Sequence, residues 1–275
     1  EDFVFSFILC YNMTMRLDVY LVEKMGVGSR AKAQQLIKDG LVFVDGKCVN
    51  KPSYELLCNE NITITEYRQY VSRGAYKLLG AIEAFGLDFT GKVVLDIGAS
   101  TGGFTEVALE KEAKKVYSID VGRGELAEKL KNDERVVNME GRDFRSVLLE
   151  EVKDTDLIIG DISFISLRYI IPKIKELFGN IPIVILFKPQ FECGKEIAKR
   201  YKGVIKNSAI HKSLLKDFIR YLTSISYSAD GLTNSPITGK SGNIEYLFLI
   251  NGGCKKIYNV DEVVDNAFKN LKIKG

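Results

Sequence analysis

Val93-Val94-Leu95-Asp96-Ile97-Gly98-Ala99-Ser100-Thr101-Gly102-Gly103-Phe104-Thr105 decides how the chain is read. An apolar, β-branched run that meets glycines and then resumes with Phe104 is a buried parallel strand turning into a helix. A second apolar run, Val116-Tyr117-Ser118-Ile119, ends on Asp120, twenty-four residues after Asp96. Strand, glycine loop, helix, strand and acid is the plan of a nucleotide-cofactor site at the carboxyl edge of a parallel sheet. The glycines let a cofactor approach the backbone, and the acid can accept hydrogen bonds from ribose hydroxyls. The spacing is Gly98-x-x-x-Gly102-Gly103 and not G-x-G-x-x-G, so a loop cradling a dinucleotide pyrophosphate fits poorly. A purely structural glycine turn is the plain alternative.

Outward from this stretch, residues 93–97, 116–119, 135–139, 157–161, 183–187 and 245–250 read as strands. Helical segments such as 167–178 and 208–225 fall between most of them, which predicts an α/β fold with a doubly wound parallel sheet. Residues 261–271 make a short amphipathic tail helix. In front lies a compact α+β segment, residues 15–66. Leu17, Tyr20, Leu21 and Met25 recur at helical spacing, and Ser29 is a good N-cap for a helix over 30–38. Val42 to Val44, Asp45-Gly46 and Lys47 to Val49 read as a hairpin, and Ile62-Thr63-Ile64 as a further strand. Residues 67–71 are expected to link the two domains, with 72–275 as the larger. Residues 1–14 are expected to be a cloning or start-site extension, since Met13 or Met15 is the natural-looking start.

The 275 residues leave room for one large and one small domain, and 46% apolar with 27% charged residues is an ordinary globular balance. A net charge of +3 neither establishes nor excludes a local phosphate-binding patch. Cys10, Cys48, Cys58, Cys193 and Cys254 are scattered and form no C-x-x-C pair. That argues for reduced thiols in the cytoplasm, against a disulfide framework and against a metal site. No apolar run approaches the roughly twenty residues that span a bilayer, and the acidic start lacks the cationic opening of a signal peptide.

Charged residues stand where such a sheet binds ligands. Asp161 sits at the mouth of the fourth strand, Lys188 ends the fifth, Glu245 follows a glycine-rich loop into the last, and Lys77 comes one helical turn after Arg73. Each alone could be a cap, an ion pair or a rim charge. His211, the single histidine, is expected at the surface or in a capping role. Phe104 or Phe164 could stack on a base, though nothing in their spacing demands it.

Strand-D-x-G-x-x-x-G-G resembles the first motif of S-adenosylmethionine-dependent methyltransferases. Lys77, Asp161, Lys188 and Glu245, in that order, resemble the Lys-Asp-Lys-Glu tetrad of the FtsJ-type ribose 2′-O-methyltransferases. Ser29 to Gly40, followed by Val42, Val44 and Asp45-Gly46, resembles the S4 RNA-binding module. Further phrases are Val71-Ser72-Arg73-Gly74, Asp120-Val121-Gly122, Asp161-Ile162-Ser163-Phe164-Ile165-Ser166-Leu167, Lys188-Pro189-Gln190-Phe191-Glu192, Ser235-Pro236-Ile237 and Gly242-Asn243-Ile244-Glu245. Together they make the chain from about Met15 to Leu271 resemble the TlyA family of ribosomal-RNA 2′-O-methyltransferases, also catalogued as hemolysin A.

That resemblance implies a Rossmann-like methyltransferase domain with a mostly parallel seven-stranded sheet, preceded by an S4-like domain. It implies S-adenosylmethionine as cofactor, held by Asp96, Gly98, Ala99, Ser100, Thr101, Gly102, Gly103, Phe104, Asp120, Val121, Asp143 and Asp161. Asp143 stands where an asparagine is expected, although either side chain can accept from an adenine amino group. The tetrad would be catalytic, with Lys188 either removing the ribose proton or stabilising the oxygen as a cation. Arg30, Lys32, Lys38, Arg68 and Arg73 would face RNA. The implied targets are cytidine riboses in the small or large ribosomal subunit or both, with no membrane role and no obligate protein partner.

Four rivals remain. A non-catalytic ribosome-binding factor would not need the glycine loop and all four tetrad residues. A membrane-lytic protein would want a spanning or strongly basic amphipathic segment. A nicotinamide-dependent dehydrogenase is disfavoured by the glycine spacing. A pseudouridine synthase could claim Arg16-Leu17-Asp18 as its acid motif but leaves the glycine loop unexplained.

Overall fold

A computed structural model of the chain describes residues 14–57, 60–64, 70–253 and 258–271. Residues 1–13 of the expected extension, Arg68, most of the expected linker, Cys10, Cys58 and Cys254 lie outside the described residues. The chain divides into two compact units, residues 1–69 and 70–275.

The first unit runs β1 (Met15–Arg16), α1 (Leu17–Glu23), α2 (Arg30–Lys38), β2 (Val42–Val44), β3 (Lys47–Cys48), β4 (Glu55–Leu56) and β5 (Ile62–Ile64). Ser29 Oγ accepts from Lys32 N at 3.2 Å and so satisfies a free helix N–H of α2. Asp45 and Gly46 both have positive φ, 49° and 71°, the twist that a two-residue hairpin turn requires between β2 and β3. β2 is the centre of a three-stranded antiparallel sheet, and β1 pairs with β4. The β1–β4 pairing was not legible in the sequence, because two-residue strands carry no periodicity. Leu17, Leu21, Ala33, Leu36, Ile37, Val42 and Val44 are buried and form this unit's core. Asp18 is buried among them and accepts from Arg16, Gln34 and Arg30 side chains. The Arg16 guanidinium above all, then Gln34 and Arg30, hold its carboxyl well below the usual carboxylate range against the effect of burial. Asp18 is thus a structural anchor, which removes the pseudouridine-synthase reading of Arg16-Leu17-Asp18.

The second unit runs α3 (Gly74–Phe85), β6 (Val93–Ile97), α4 (Gly103–Glu110), β7 (Lys115–Asp120), α5 (Glu128–Lys131), β8 (Val136–Glu140), α6 (Leu149–Val152), β9 (Leu157–Gly160), α7 (Ile171–Phe178), β10 (Ile183–Phe187), α8 (Pro189–Glu192), α9 (Gly194–Arg200), α10 (Ser208–Ser224), β11 (Ala229–Asn234), β12 (Tyr246–Ile250) and α11 (Val260–Asn270). The seven strands are ordered β11-β12-β10-β9-β6-β7-β8. β12 runs antiparallel to both of its neighbours and the remaining pairings are parallel. β11 is the strand that apolar runs do not reveal. Its Asp230, Gly231, Thr233 and Asn234 break the pattern, and a register shift lies between Ala229 and Gly231.

Central strands are apolar on both faces because helices cover both. On one side Leu95, Ile158, Ile185, Phe187 and Phe248 pack with residues of α7, α10 and α11, including Ile174, Phe218 and Val264. On the other, Val94, Val184, Leu186 and Leu247 pack with Ala75, Leu78 and Phe85 of α3 and Val107 of α4. Adjacent residues thus serve opposite cores, as a period of two demands. The chain winds from β6 to β8 on one side and resumes at β9 on the other, so the carboxyl ends of β6 and β9 flank the crevice where ligands bind in such sheets. No helix among the described residues is long and apolar enough to cross a membrane.

Candidate active site

Asp161 follows β9 and Lys188 follows β10, both at the carboxyl edge. β12 is antiparallel, so Glu245, immediately before it, begins at that same edge. Lys77 comes from the first turn of α3. Its Nζ lies 2.8 Å from Glu245 Oε2 and 3.1 Å from Asp161 Oδ2. Lys188 Nζ lies 2.6 Å from Asp161 Oδ1 and donates to Ser163 Oγ at 2.5 Å. Gln190 Nε2 donates to Glu245 Oε1 at 3.3 Å. Two cations and two anions therefore alternate in one buried network. Burial by itself disfavours the charge on Lys77, yet Asp161 and Glu245 override it and leave the ammonium above its ordinary pKa. Burial likewise disfavours the Asp161 carboxylate, and Lys77 and Lys188 hold it below the ordinary range. Gly239 permits the close approach of the glycine-rich loop, since a Cβ there would stand 2.5 Å from Glu245 Oε1.

The tetrad lines an open cavity of about 470 Å³ together with Gly98, Ala99, Ser100, Thr101, Gly103 and Phe104. A second, of about 520 Å³, is lined by Asp120, Val121, Asp143 and Phe144. The two meet at Gly98, Ser100, Asp161, Ser163 and Phe164. Gly98 has φ 83°, and its open side faces the Asp161 carbonyl, where a Cβ would come within 3.1 Å. Asp120 accepts from Ser100 N at 2.8 Å and Gly122 N at 2.7 Å, which seats its carboxylate at the loop mouth. Val121 is 71% exposed on that wall. Asp143 is bound by the Arg145 guanidinium, which holds its carboxyl below the usual range.

Two residues expected at the cofactor do not reach either cavity: Asp96 and Gly102. Asp96 is fully buried beneath the loop, accepts from Thr105 Oγ1 at 2.7 Å, and burial pushes its carboxyl up to about 7. Phe104 is 2% exposed and belongs to the core, whereas Phe164 is 90% exposed, has φ 65° and lies 5.2 Å from the Phe191 ring. Of the residues expected on RNA, Arg30 is engaged through Nε by Asp18, and Lys32 and Lys38 are exposed on α2. Arg73 donates to the Thr238 carbonyl at 3.0 Å and so ties the start of α3 to the glycine-rich loop. His211 corrects the sequence reading: it is buried, not at the surface. Its Nε2 meets the Ile205 carbonyl at 3.0 Å, and a carbonyl can only accept, so Nδ1 accepts from the Tyr246 hydroxyl at 2.8 Å. Ser163, Gln190 and Gly239 are site residues that sequence reasoning passed over. The signal was their place within two residues of Asp161 and Lys188 or inside the glycine-rich loop.

Residues 70–251 match the FtsJ-like methyltransferase family, and residues 15–62 match the S4 domain. The chain belongs to the FtsJ-like methyltransferases. Relatives of similar length align with most of the chain. The 16S/23S rRNA (cytidine-2′-O)-methyltransferase TlyA of Mycobacterium tuberculosis is 39% identical over 236 residues, 84% of this chain and 87% of its own. Hemolysin A of Brachyspira hyodysenteriae is 39% identical over 237 residues, 85% of this chain and 98% of its own. A solved structure of a candidate hemolysin from Streptococcus thermophilus matches with TM-score 0.70 and 34% identity, covering 94% of this chain and 97% of that one. The TlyA resemblance read from the motifs is therefore correct. In this FtsJ-like methyltransferase the seven-stranded sheet and the preceding S4 domain are both as that resemblance implied.

Proposed function

We propose that this methyltransferase moves the methyl group of S-adenosylmethionine to a ribose 2′-hydroxyl of ribosomal RNA, with cytidine as the nucleotide. The observation that carries the reading is the Lys77–Asp161–Lys188–Glu245 network, joined at Asp161 to the cavity of the glycine loop. The residues present suit the cofactor: Asp120 offers a carboxylate to ribose hydroxyls, Val121 an apolar surface to a purine, and Asp143 an acceptor to an amino group. When bound, S-adenosylmethionine supplies an already electrophilic methyl, so the protein's task is to align the ribose oxygen and manage its proton. Asp161 orients both lysines. The donation from Lys188 to Asp161 and Ser163 supports its role as a cation that stabilises the developing alkoxide, more than its role as the base. Phe164, exposed beside both cavities, offers a ring face to the base of the nucleotide being modified. A ribosomal substrate places the enzyme in the cytoplasm.

The test is transfer of labelled methyl groups from S-adenosylmethionine to unmodified small and large ribosomal subunits. Label that renders one RNA position resistant to alkaline cleavage is the expected result. Label-free RNA from both subunits, with cofactor bound, would move the function to a non-catalytic RNA-binding role.

A further inference from the structure

Between the end of α8 and the start of α10 the chain makes an excursion, residues 194–206, that carries Lys195, Lys199, Arg200, Lys202 and Lys206 against one acid, Glu196. All five cations are exposed, and none is ion-paired with a carboxylate among the described residues. Elsewhere in this unit Lys129, Arg142, Arg145, Lys173, Lys212 and Lys216 each meet an acid, and exposed cations without an ion pair among the described residues, such as Lys111, Lys114, Arg123 and Lys240, are not gathered five to one acid. Helix capping accounts for only part of the charge. Lys199 and Arg200 suit the last turn of α9, but Lys195 sits in its first turn, where a cation opposes the helix dipole. Lys202 and Lys206 lie beyond the helix altogether.

Both feet of the excursion stand on the catalytic cavity. Gln190 and Phe191 line it just before the excursion begins, and Gly203 lines it near the end. The returning foot is fastened: Asn243 donates to the Gly203 carbonyl at 2.8 Å and accepts from Ile205 N at 3.0 Å, while His211 donates to the Ile205 carbonyl. The S4 segment in front, residues 15–66, carries seven basic and seven acidic residues, so its charges cancel. Resting on the RNA-methyltransferase reading above, we propose that residues 194–206 form a phosphate-binding surface of the methyltransferase unit itself, gripping the RNA backbone that flanks the nucleotide in the cavity.

The experiment measures binding of ribosomal RNA to the full chain across a salt series, for wild type, Lys199→Gln/Lys202→Gln, and a control, Lys111→Gln/Lys114→Gln. The control removes the same charge at exposed positions beside the start of β7, the opposite edge of the sheet. Each lost phosphate contact lowers the slope of log affinity against log salt by about 0.7–0.9. The excursion variant should therefore lose a slope of about 1.5 and at least about tenfold in affinity near 0.1 M salt, with S-adenosylmethionine binding and melting temperature retained and the control close to wild type. Equal losses in the two variants would overturn the proposal, as would an unchanged RNA affinity accompanied by lost binding to anionic lipid vesicles. Wild-type protein that neither binds nor methylates ribosomal RNA would overturn the parent reading along with it, and that result is read on wild type alone.

Discussion

Glu245, at the threshold of β12, and Lys77, in the first turn of α3, meet at 2.8 Å with both side chains buried. The pair joins the helix that precedes the sheet to the last strand entering it. Lys77 also meets Asp161, so Lys77→Met strands the buried Glu245 and leaves Asp161 to Lys188 alone. Breaking a buried ion pair by removing one partner costs about 3–5 kcal/mol. A melting temperature lower by roughly 6–20 °C is expected for a unit of this size, and calorimetry of the variant checks it. A melting temperature within about 2 °C of wild type would mean that the network does not bear on stability.

Lys188→Ala leaves the glycine loop and the Asp120 wall untouched. The methyl-transfer step should fall by about 10²–10³-fold, as when one preorganised charge-stabilising donor is removed, while cofactor affinity stays within a few-fold. Single-turnover transfer beside calorimetric titration separates the two. Loss of cofactor binding instead would make Lys188 a binding residue.

Phe164 keeps a strained, positive φ of 65° and a ring that is 90% exposed. Such a conformation costs a non-glycine residue about 1–2 kcal/mol and gains nothing from burial. Phe164→Ala should therefore hold its melting temperature and cofactor affinity but lose about 1–3 kcal/mol of RNA-dependent transition-state binding, the worth of one stacked base. The readout is kcat/KM with RNA varied. An unchanged value would assign the ring to no substrate contact.

His211 is held neutral, with its pKa pushed down to about 4 mainly by burial. Unfolded, a histidine titrates near 6.5. Between these two values the unfolded chain binds a proton that the folded chain does not, so stability falls as pH drops from about 6.5 to about 4, by about 3 kcal/mol in all. His211→Gln should lose most of that slope. His211 is the only histidine, so its ring resonances in the folded protein report the titration without assignment. A ring that titrates near 6.5 would refute the buried, neutral state.

Asp18 gathers Arg16, Gln34 and Arg30 within the small unit. Asp18→Asn removes the charge that both guanidiniums meet and leaves an amide among donors. A loss of about 1–3 kcal/mol is expected for such hydrogen bonds to a charged group, visible as faster proteolysis of residues 15–64 with the methyltransferase unit intact.

The sheet was legible where chemistry is repetitive. Apolar runs at 93–97 and 183–187 are strands with those bounds, because a strand covered on both faces admits little but aliphatic residues. Ser29 and Asp45-Gly46 announced a cap and a turn, since each answers a local backbone demand. β11 was silent in that language. Its Asp230 and Gly231 are tolerated because the pairing with β12 supplies the order that its own pattern lacks.

Motif order in the chain determined the family and singled out the four residues proposed as its tetrad. The pairing among them was decided only by tertiary structure. Lys77 serves two acids, Lys188 reaches Ser163, and Glu245 arrives at the correct edge because β12 runs antiparallel to its neighbours. Asp96 and His211 show the same division. An acid in a cofactor motif and a histidine on a helix each read as candidates for contact with ligand or water, and both are buried. A residue's type follows from the chemistry it can perform, and sequence records that directly. Its neighbours and its distance from water follow from how separate elements cross in space, which no local pattern encodes.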